Sequence, residues 1–301
     1  MSFSSQAKTE LTAILPDSPC CLAAELYGML EFGHAFSGAE ISLQTESEPV
    51  ADLYRKLVER VCSVPVADGQ VLRRRTALYT RQIATAEDRR RVLERFGHTP
   101  SDLTVRLNRA NLDCDHCARA LLRGAFLVCG AVTDPARDYH LEFSVPYYNL
   151  SRDLLTLLDE VGFPAKVVVR NGSYVIYLKE SERIEDCLTF LGASRAALEM
   201  MSIKVVKSIR NETNRRTNCE NANIDKTVNA AAAQTQAVRR IEKSGKLESL
   251  PPALRELARV RLDHPELSLR ELGALLDPPL SRSGVNHRLQ RLLEIAADLP
   301  S

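Results

Sequence analysis

The chain has 301 residues, of which 45% are hydrophobic and 26% charged. Those ordinary globular values exclude a disordered chain, and the length suits two or three domains. No apolar run is long enough to span a bilayer, and residues 1–10 are polar and mixed in charge where a signal peptide would be apolar, so a cytoplasmic protein with no membrane partner is expected. Eight cysteines are too few for a disulfide scaffold on this length. The overall charge of +1 conceals an asymmetry, because residues 1–200 hold 23 Lys/Arg against 27 Asp/Glu while residues 201–301 hold 17 against 12. Basic charge therefore gathers at the C-terminal end, where it favours phosphate.

The first 200 residues carry one order of elements twice. The earlier copy opens with an apolar helix at Cys20 to His34, followed by an alternating strand at Ala39 to Thr45. A helix at Val50 to Val61, a basic strand region at Leu72 to Ile83 and a helix at Ala86 to Phe96 complete it. The later copy runs through a helix at His116 to Gly130, a strand at Tyr139 to Val145 and a helix at Leu150 to Val161. A hairpin at Ala165 to Lys179 and a helix from Ser181 close it. Asn171-Gly172 between VVVR and YVIYL is a strong hairpin signal. The repeat is an α-β-β-α-β-β-α unit, its opening helices offset by about 96 residues.

Beyond Gly192 the strand signals stop. Ala193 to Ile209 reads as a helix, and the Asn-rich Arg210 to Asn223 as a linker or ordered surface segment. Helices are then expected at Asp225 to Lys243, Pro251 to Asp263, Leu269 to Leu276 and Arg282 to Ala297. The expected fold class is α+β, a duplicated unit followed by an all-α domain. Its divisions are 1–97 and 98–205 for the two halves, 206–224 for the linker and 225–301 for the helical domain.

The most informative segment is PELSLRELGALLDPPLSRSGVNHRLQRLLEIAADL, Pro265 to Leu299. Ser268 and Glu271 form a capping box that starts a short helix. Asp277-Pro278-Pro279 breaks it, since proline lacks an amide proton and restricts its predecessor. Ser281 then caps a second helix whose apolar stripe is Val285, Leu289, Leu292/Leu293 and Ala296. Its remaining surface presents Arg282, Ser283, Gly284, Asn286, His287, Arg288, Gln290 and Arg291. Asn and Gln can read adenine in a major groove and Arg can read guanine, while Ser281 and the free amides can hold a phosphate. Together with Ser281 these are the candidate DNA-binding residues, double-stranded DNA being the expected partner. Arg255, Arg259 and Arg261 on the preceding helix would add phosphate contacts. The same pattern also fits a helical hairpin whose polar side faces water. The short capped helix, the tight break and the Ser-Arg-Asn-His opening favour the helix-turn-helix.

Other constellations carry less. Cys114-Asp115-His116-Cys117 has the spacing of half a zinc site, but a structural site needs four ligands and the other adjacent pair is Cys20-Cys21. The repeat offset sets Cys21 against Cys117 at matching helix starts, which favours close packing over zinc, so no metal or cofactor is expected. His34, His98, His140 and His264 stand alone, without a nucleophile or carboxylate pattern, and suit surface or hydrogen-bonded roles. No Gly-rich phosphate loop occurs.

The opening Met1-Ser2-Phe3-Ser4, the stretch NRRTNCENANIDKTVNAAAAQ at Asn214 to Gln234 and the ending LSRSGVNHRL at Leu280 to Leu289 resemble the WhiA family of bacterial regulators, and the likeness runs through essentially the whole chain. The resemblance implies a degenerate LAGLIDADG homing-endonuclease fold joined to a helix-turn-helix similar to sigma-factor region 4. It also implies a transcription regulator linked to cell division, chromosome segregation and, in sporulating actinobacteria, sporulation, working on the nucleoid. The paired LAGLIDADG helices correspond to Leu26 to His34 and Leu122 to Gly130. The family fold's metal-binding Asp then falls at Gly33 and Cys129, neither of which offers the oxygen ligands that two-metal hydrolysis needs. Glu31, two positions earlier, points elsewhere on its helix and suits a structural or surface role. Arg73 to Arg75 and Arg81 would lie by strands that homing endonucleases lay on DNA. The acidic balance of residues 1–200 favours a solvated face there and for Arg89 to Arg91, and a surface for another regulatory protein. The expected function is a regulator without enzymatic activity. The alternatives are a nuclease targeted by its helix-turn-helix and a non-catalytic chromosome-organising protein.

Overall fold

A computed structural model describes residues 2–72, 77–102 and 105–299. The chain divides into two compact units, 1–207 and 208–301. Among the described residues no helix is long and apolar enough to cross a membrane.

The first unit begins with α1 (Phe3–Thr12), capped by Ser2, and then carries the repeated order that the sequence predicts. The first copy comprises α2 (Pro19–Glu31), β1 (Ala35–Phe36), β2 (Ile41–Thr45), α3 (Glu48–Cys62), β3 (Ala67–Leu72), β4 (Ala77–Gln82) and α4 (Ala86–Arg95). The second comprises α5 (Cys117–Cys129), β5 (Gly130–Val132), β6 (Leu141–Val145), α6 (Tyr148–Glu160), β7 (Lys166–Arg170), β8 (Ser173–Leu178) and α7 (Ser181–Leu191). Each copy folds into a four-stranded antiparallel sheet of the same order, β1-β2-β4-β3 and β5-β6-β8-β7. Asn171 and Gly172 make the β7–β8 turn with φ of 50° and 78°, the left-handed pair that a two-residue hairpin demands.

The unit is organised around the α2–α5 pair. A Cβ on Gly28 would lie 2.2 Å from the Leu121 carbonyl oxygen, and one on Gly124 would lie 2.1 Å from that of Glu25. The two glycines are 96 positions apart, so each half supplies the same gap and the helices meet backbone to backbone. Across that seam Arg123 donates from Nε and Nη2 to the Glu25 carboxylate at 2.9 and 2.5 Å, both side chains fully buried. Such a bidentate pair satisfies two charges that could not be buried singly.

The helix α8 runs from Ser194 to Lys243, and the Glu10 carboxylate caps its start by accepting from the amides of Arg195 and Ala196 at 2.7 and 3.1 Å. Two helices flanking a polar segment at 210–223 are thus replaced by one. The physical reason is that residues 194–243 contain no Gly or Pro. Their polar side chains bond along the helix, as Thr213 to the Ile209 carbonyl at 2.9 Å and Arg216 to Glu220 at 3.0 Å.

The second unit adds α9 (Pro252–Asp263), α10 (Leu269–Ala274) and α11 (Arg282–Ala297) to the end of α8. Its core joins Val238 and Ile241 to Leu257, Leu272, Leu276, Val285, Leu289, Leu292 and Ala296. The sharp return from α10 to α11 depends on Gly273, where a Cβ would sit 2.3 Å from the Leu280 carbonyl oxygen. The Leu280 amide closes that return on the Gly273 carbonyl at 2.9 Å.

Candidate nucleic-acid interface

Both caps form as the sequence requires. Ser268 Oγ accepts from the Glu271 amide while the Glu271 carboxylate accepts from the Ser268 amide, and Ser281 Oγ accepts from the Gly284 amide at 3.3 Å. The second cap starts α11 at Arg282, which fixes the helical phase of every residue after it. Val285, Leu289, Leu292 and Ala296 take the buried side. At 100° per residue, Arg282, Asn286 and Gln290 form one flanking row, and Ser283, His287 and Arg291 form the row opposite the core. All six are exposed.

The first row faces a groove of ≈ 450 Å³ whose other walls include Lys226, Thr227 and Arg270. No acidic side chain lines it, and among the described residues Lys226, Arg270 and Arg282 make no ion pair. Three cations around polar groups that can read base edges make a surface suited to a polyanion. Lys226 and Arg270 were not singled out from the sequence. They join the site only through the packing of α8 and α10 beside α11, which no local pattern of the sequence gives.

The remaining expected residues are divided by the fold. Ser283 is exposed beside Ser281, their hydroxyls 3.0 Å apart. Half-buried Gly284 sits at the end of the cap. Arg288 is half-buried and donates to the Ala253 carbonyl at 3.4 Å, so part of its capacity is spent on α9. Arg291 is exposed and pairs with Glu294 at 2.7 Å. The supporting arginines require a correction. Arg261 is 2% exposed, and its guanidinium binds Gln234 Oε1 at 2.7 and 3.2 Å and the Leu267 carbonyl at 2.8 Å. It ties α8 to the turn before α10 and is withdrawn from any phosphate. Arg255 and Arg259 both pair with Glu248.

Cations of the first unit are also engaged internally. Arg81 is 6% exposed and lies between Asp52 and Asp68, at 3.2 and 3.0 Å. Arg89 donates to the carbonyls of Gly38, Ile83 and Ala84, while Arg90 and Arg91 pair with Glu94 and Asp88. Arg73 to Arg75 lie outside the described residues.

At the C-terminal ends of α2 and α5, neither Gly33 nor Cys129 presents a carboxylate. A Cβ at position 33 would meet the Met29 carbonyl oxygen at 2.6 Å. Burial raises the Cys129 thiol to about 12, and burial also lowers the pKa of the neighbouring Lys8 ammonium. Glu31 is 5% exposed, so the surface role is excluded. Its Oε2 lies 3.8 Å from His98 Nε2 without a hydrogen bond. Burial, then Asp153 and Asp102, pushes its pKa up to about 8. His98 Nε2 stands 2.8 Å from the Tyr27 hydroxyl, which accepts from the Asn108 amide at 2.7 Å, and burial lowers the histidine's pKa.

Comparisons with known proteins agree with both units. Residues 118–210 match the WhiA LAGLIDADG-like domain and residues 213–296 the WhiA C-terminal HTH domain. A relative in Alkaliphilus metalliredigens named "Probable cell division protein WhiA" is 37% identical over 98% of each chain. One of the same name in Heliobacterium modesticaldum is 38% identical, covering 98% of this chain and 96% of its own. The crystal structure of full-length DUF199/WhiA from Thermatoga maritima superposes with a TM-score of 0.61 at 25% identity, covering 100% of both chains.

Proposed function

Because the chain belongs to the WhiA family, we propose that it is a sequence-specific DNA-binding transcription regulator serving cell division and chromosome segregation. The observation that carries this reading is the exposed polar side of α11 and the groove along its first row, where Lys226, Arg270 and Arg282 make no ion pair among the described residues. Ser281 and the amides at the start of α11 meet a phosphate. Arg282 and Asn286, four residues apart near the N-terminal end, read base edges, with Gln290 extending their row and Ser283 and His287 beside them. Lys226, Arg270 and Arg291 neutralise the DNA backbone. The protein acts in the cytoplasm, on the nucleoid.

Nuclease chemistry is no part of this function. Hydrolysis by two divalent cations needs oxygen ligands at the ends of α2 and α5, and a half-buried thiol with a neighbouring ammonium stands at one of those ends. The first unit instead serves as a scaffold that receives another regulatory protein. Val167, Val168 and Val169, exposed by 47, 47 and 63% along β7, support that role.

The test is selection of duplexes from a random pool by the full chain, followed by titration of a selected and a scrambled duplex at two salt concentrations. A recovered motif that outcompetes the scrambled duplex is expected, with affinity falling as salt rises. A folded protein with no affinity for either duplex at low salt would sink the proposal. Reproducible cleavage with magnesium or manganese would sink the non-nuclease part. Genomic occupancy without transcript changes in a deletion strain would replace regulation by chromosome organisation.

A further inference from the structure

The two cysteine pairs, which the sequence suggests as packing, converge in space. Cys20 and Cys21 occupy the first turn of α2, Cys117 begins α5, and Cys114 lies in the turn before it. The four Sγ atoms all lie within 4.8 Å of one another. Four of the separations are 3.5 Å for Cys20–Cys114, 3.5 Å for Cys21–Cys114, 4.0 Å for Cys21–Cys117 and 3.4 Å for Cys114–Cys117. Zinc–thiolate bonds of about 2.3 Å in a tetrahedron hold their sulfurs about 3.8 Å apart. A disulfide would need one pair at about 2.05 Å, and all eight cysteines are free. Two side chains meeting by ordinary packing would not gather a third and a fourth sulfur at the same spacing.

We propose that Cys20, Cys21, Cys114 and Cys117 form a structural zinc site that clamps the two halves of the first unit together at the N-terminal ends of α2 and α5. Four ligands from protein leave no open position, so the ion is structural and not catalytic. Cys21 and Cys117 are buried while Cys20 and Cys114 are half-buried, which gives the ion a path in from one side. Four thiolates around one divalent cation carry a net charge of −2. The site faces the N-termini of two helices, whose unbonded amides and dipoles offset negative charge. The Ser18 hydroxyl, 2.9 Å from Cys20 Sγ, can donate to that sulfur. Binding replaces four thiol protons by one zinc ion, so affinity falls in acid.

The experiment uses the full chain, purified in reductant without chelator or a metal-binding tag. Elemental analysis should find one zinc per chain. Exchange into cobalt(II) should give thiolate-to-cobalt charge-transfer bands and the intense visible bands of a tetrahedral ion. Cys114→Ser should reduce bound zinc from one equivalent to near none, while Cys62→Ser and Cys187→Ser should keep it. Cys20→His should keep the ion and shift the cobalt spectrum towards a three-sulfur, one-nitrogen set. Should Cys114→Ser fail to fold, the wild-type stoichiometry and cobalt spectrum decide alone. Wild-type protein with four reduced thiols, no zinc and no tetrahedral cobalt spectrum would overturn the proposal. So would a disulfide among these four cysteines in place of metal.

Discussion

Several arginines of the first unit are held by carboxylates, whereas one groove of the second unit is lined by cations that, among the described residues, are not. In the first, Arg123 is neutralised by Glu25, Arg81 by Asp52 and Asp68, Arg106 by Asp153 and Arg109 by Glu160. In the second, Arg282, Arg270 and Lys226 stand around one groove without ion pairs among the described residues. Net charge is thus a weaker guide to a surface suited to a polyanion than the pairing of individual charges. Surface cations held by carboxylates contribute little to a field, and free ones release counterions on meeting phosphate.

The largest effect is expected from unpairing a buried cation in the first unit. Glu25→Ala leaves the Arg123 guanidinium buried without its carboxylate, and the loss of stability should be about 3–5 kcal/mol. Urea denaturation of the full chain, followed by the unfolding of the first unit, measures it. A loss under about 1 kcal/mol would mean that water reaches Arg123 and that the α2–α5 seam is looser than its glycine contacts indicate.

Glu31 gives the next effect. Its carboxyl titrates near 4.5 when the chain is unfolded and at about 8 when folded. Between those values the folded state holds a proton that the unfolded state has lost. Stability is therefore fully present below about pH 4.5 and falls as pH rises to about 8. Asp102, Asp153 and His98 face the same site, so the comparison must be with Glu31→Gln, which keeps the shape and removes the titration. Each factor of ten in proton affinity between the two states corresponds to about 1.4 kcal/mol. With water entering the ionised site, wild type should lose on the order of 2–3 kcal/mol relative to the variant between about pH 5 and pH 8. Parallel stability curves for the two proteins would show that Glu31 is ionised throughout.

Much of this architecture was legible in the sequence. The double α-β-β-α-β-β-α order follows from hydrophobic period and the Asn171-Gly172 turn, and both caps follow from Ser268/Glu271 and Ser281. What escaped was contact between segments distant in sequence. The pairing of Arg261 with Gln234 across 27 residues and the gathering of Cys20 and Cys114 depend on how helices are set against each other. Continuity of α8 through the polar stretch 210–223 was missed for a different reason. Asn and Thr are weak helix formers taken singly, but no Gly or Pro interrupts residues 194–243, and the Thr213 and Thr227 hydroxyls reach carbonyls four residues back without breaking the helix.

Within the second unit the first row of α11 is expected to differ from the cations across the groove on α8 and α10. Arg282→Ala or Asn286→Ala should remove about 1–3 kcal/mol of discrimination between selected and scrambled duplexes. Lys226→Ala and Arg270→Ala should weaken both duplexes alike and each lower the salt slope by about 1. Competition titrations at two salt concentrations separate the two patterns. Equal loss on both duplexes for Arg282 and Asn286 would mean that this row grips backbone only.

The smallest effect should come from Arg291. It lies nine residues beyond Arg282, more than two turns along α11, where a helix whose N-terminal end enters a groove is leaving the groove floor. Its guanidinium already has the Glu294 carboxylate at 2.7 Å, with both side chains more than half exposed, 63 and 60%. A phosphate must therefore compete with a carboxylate partner, which Arg282 lacks among the described residues, and the exposed pair itself is worth under about 1 kcal/mol. Arg291→Ala should weaken selected and scrambled duplexes equally, by less than Arg270→Ala. Glu294→Gln frees the same guanidinium and should strengthen both duplexes slightly, most visibly at low salt. The two variants moving in opposite directions on both duplexes would establish Arg291 as a restrained phosphate contact. A loss confined to the selected duplex would move it into the base-reading row, and the reading edge of α11 would then extend to the third turn.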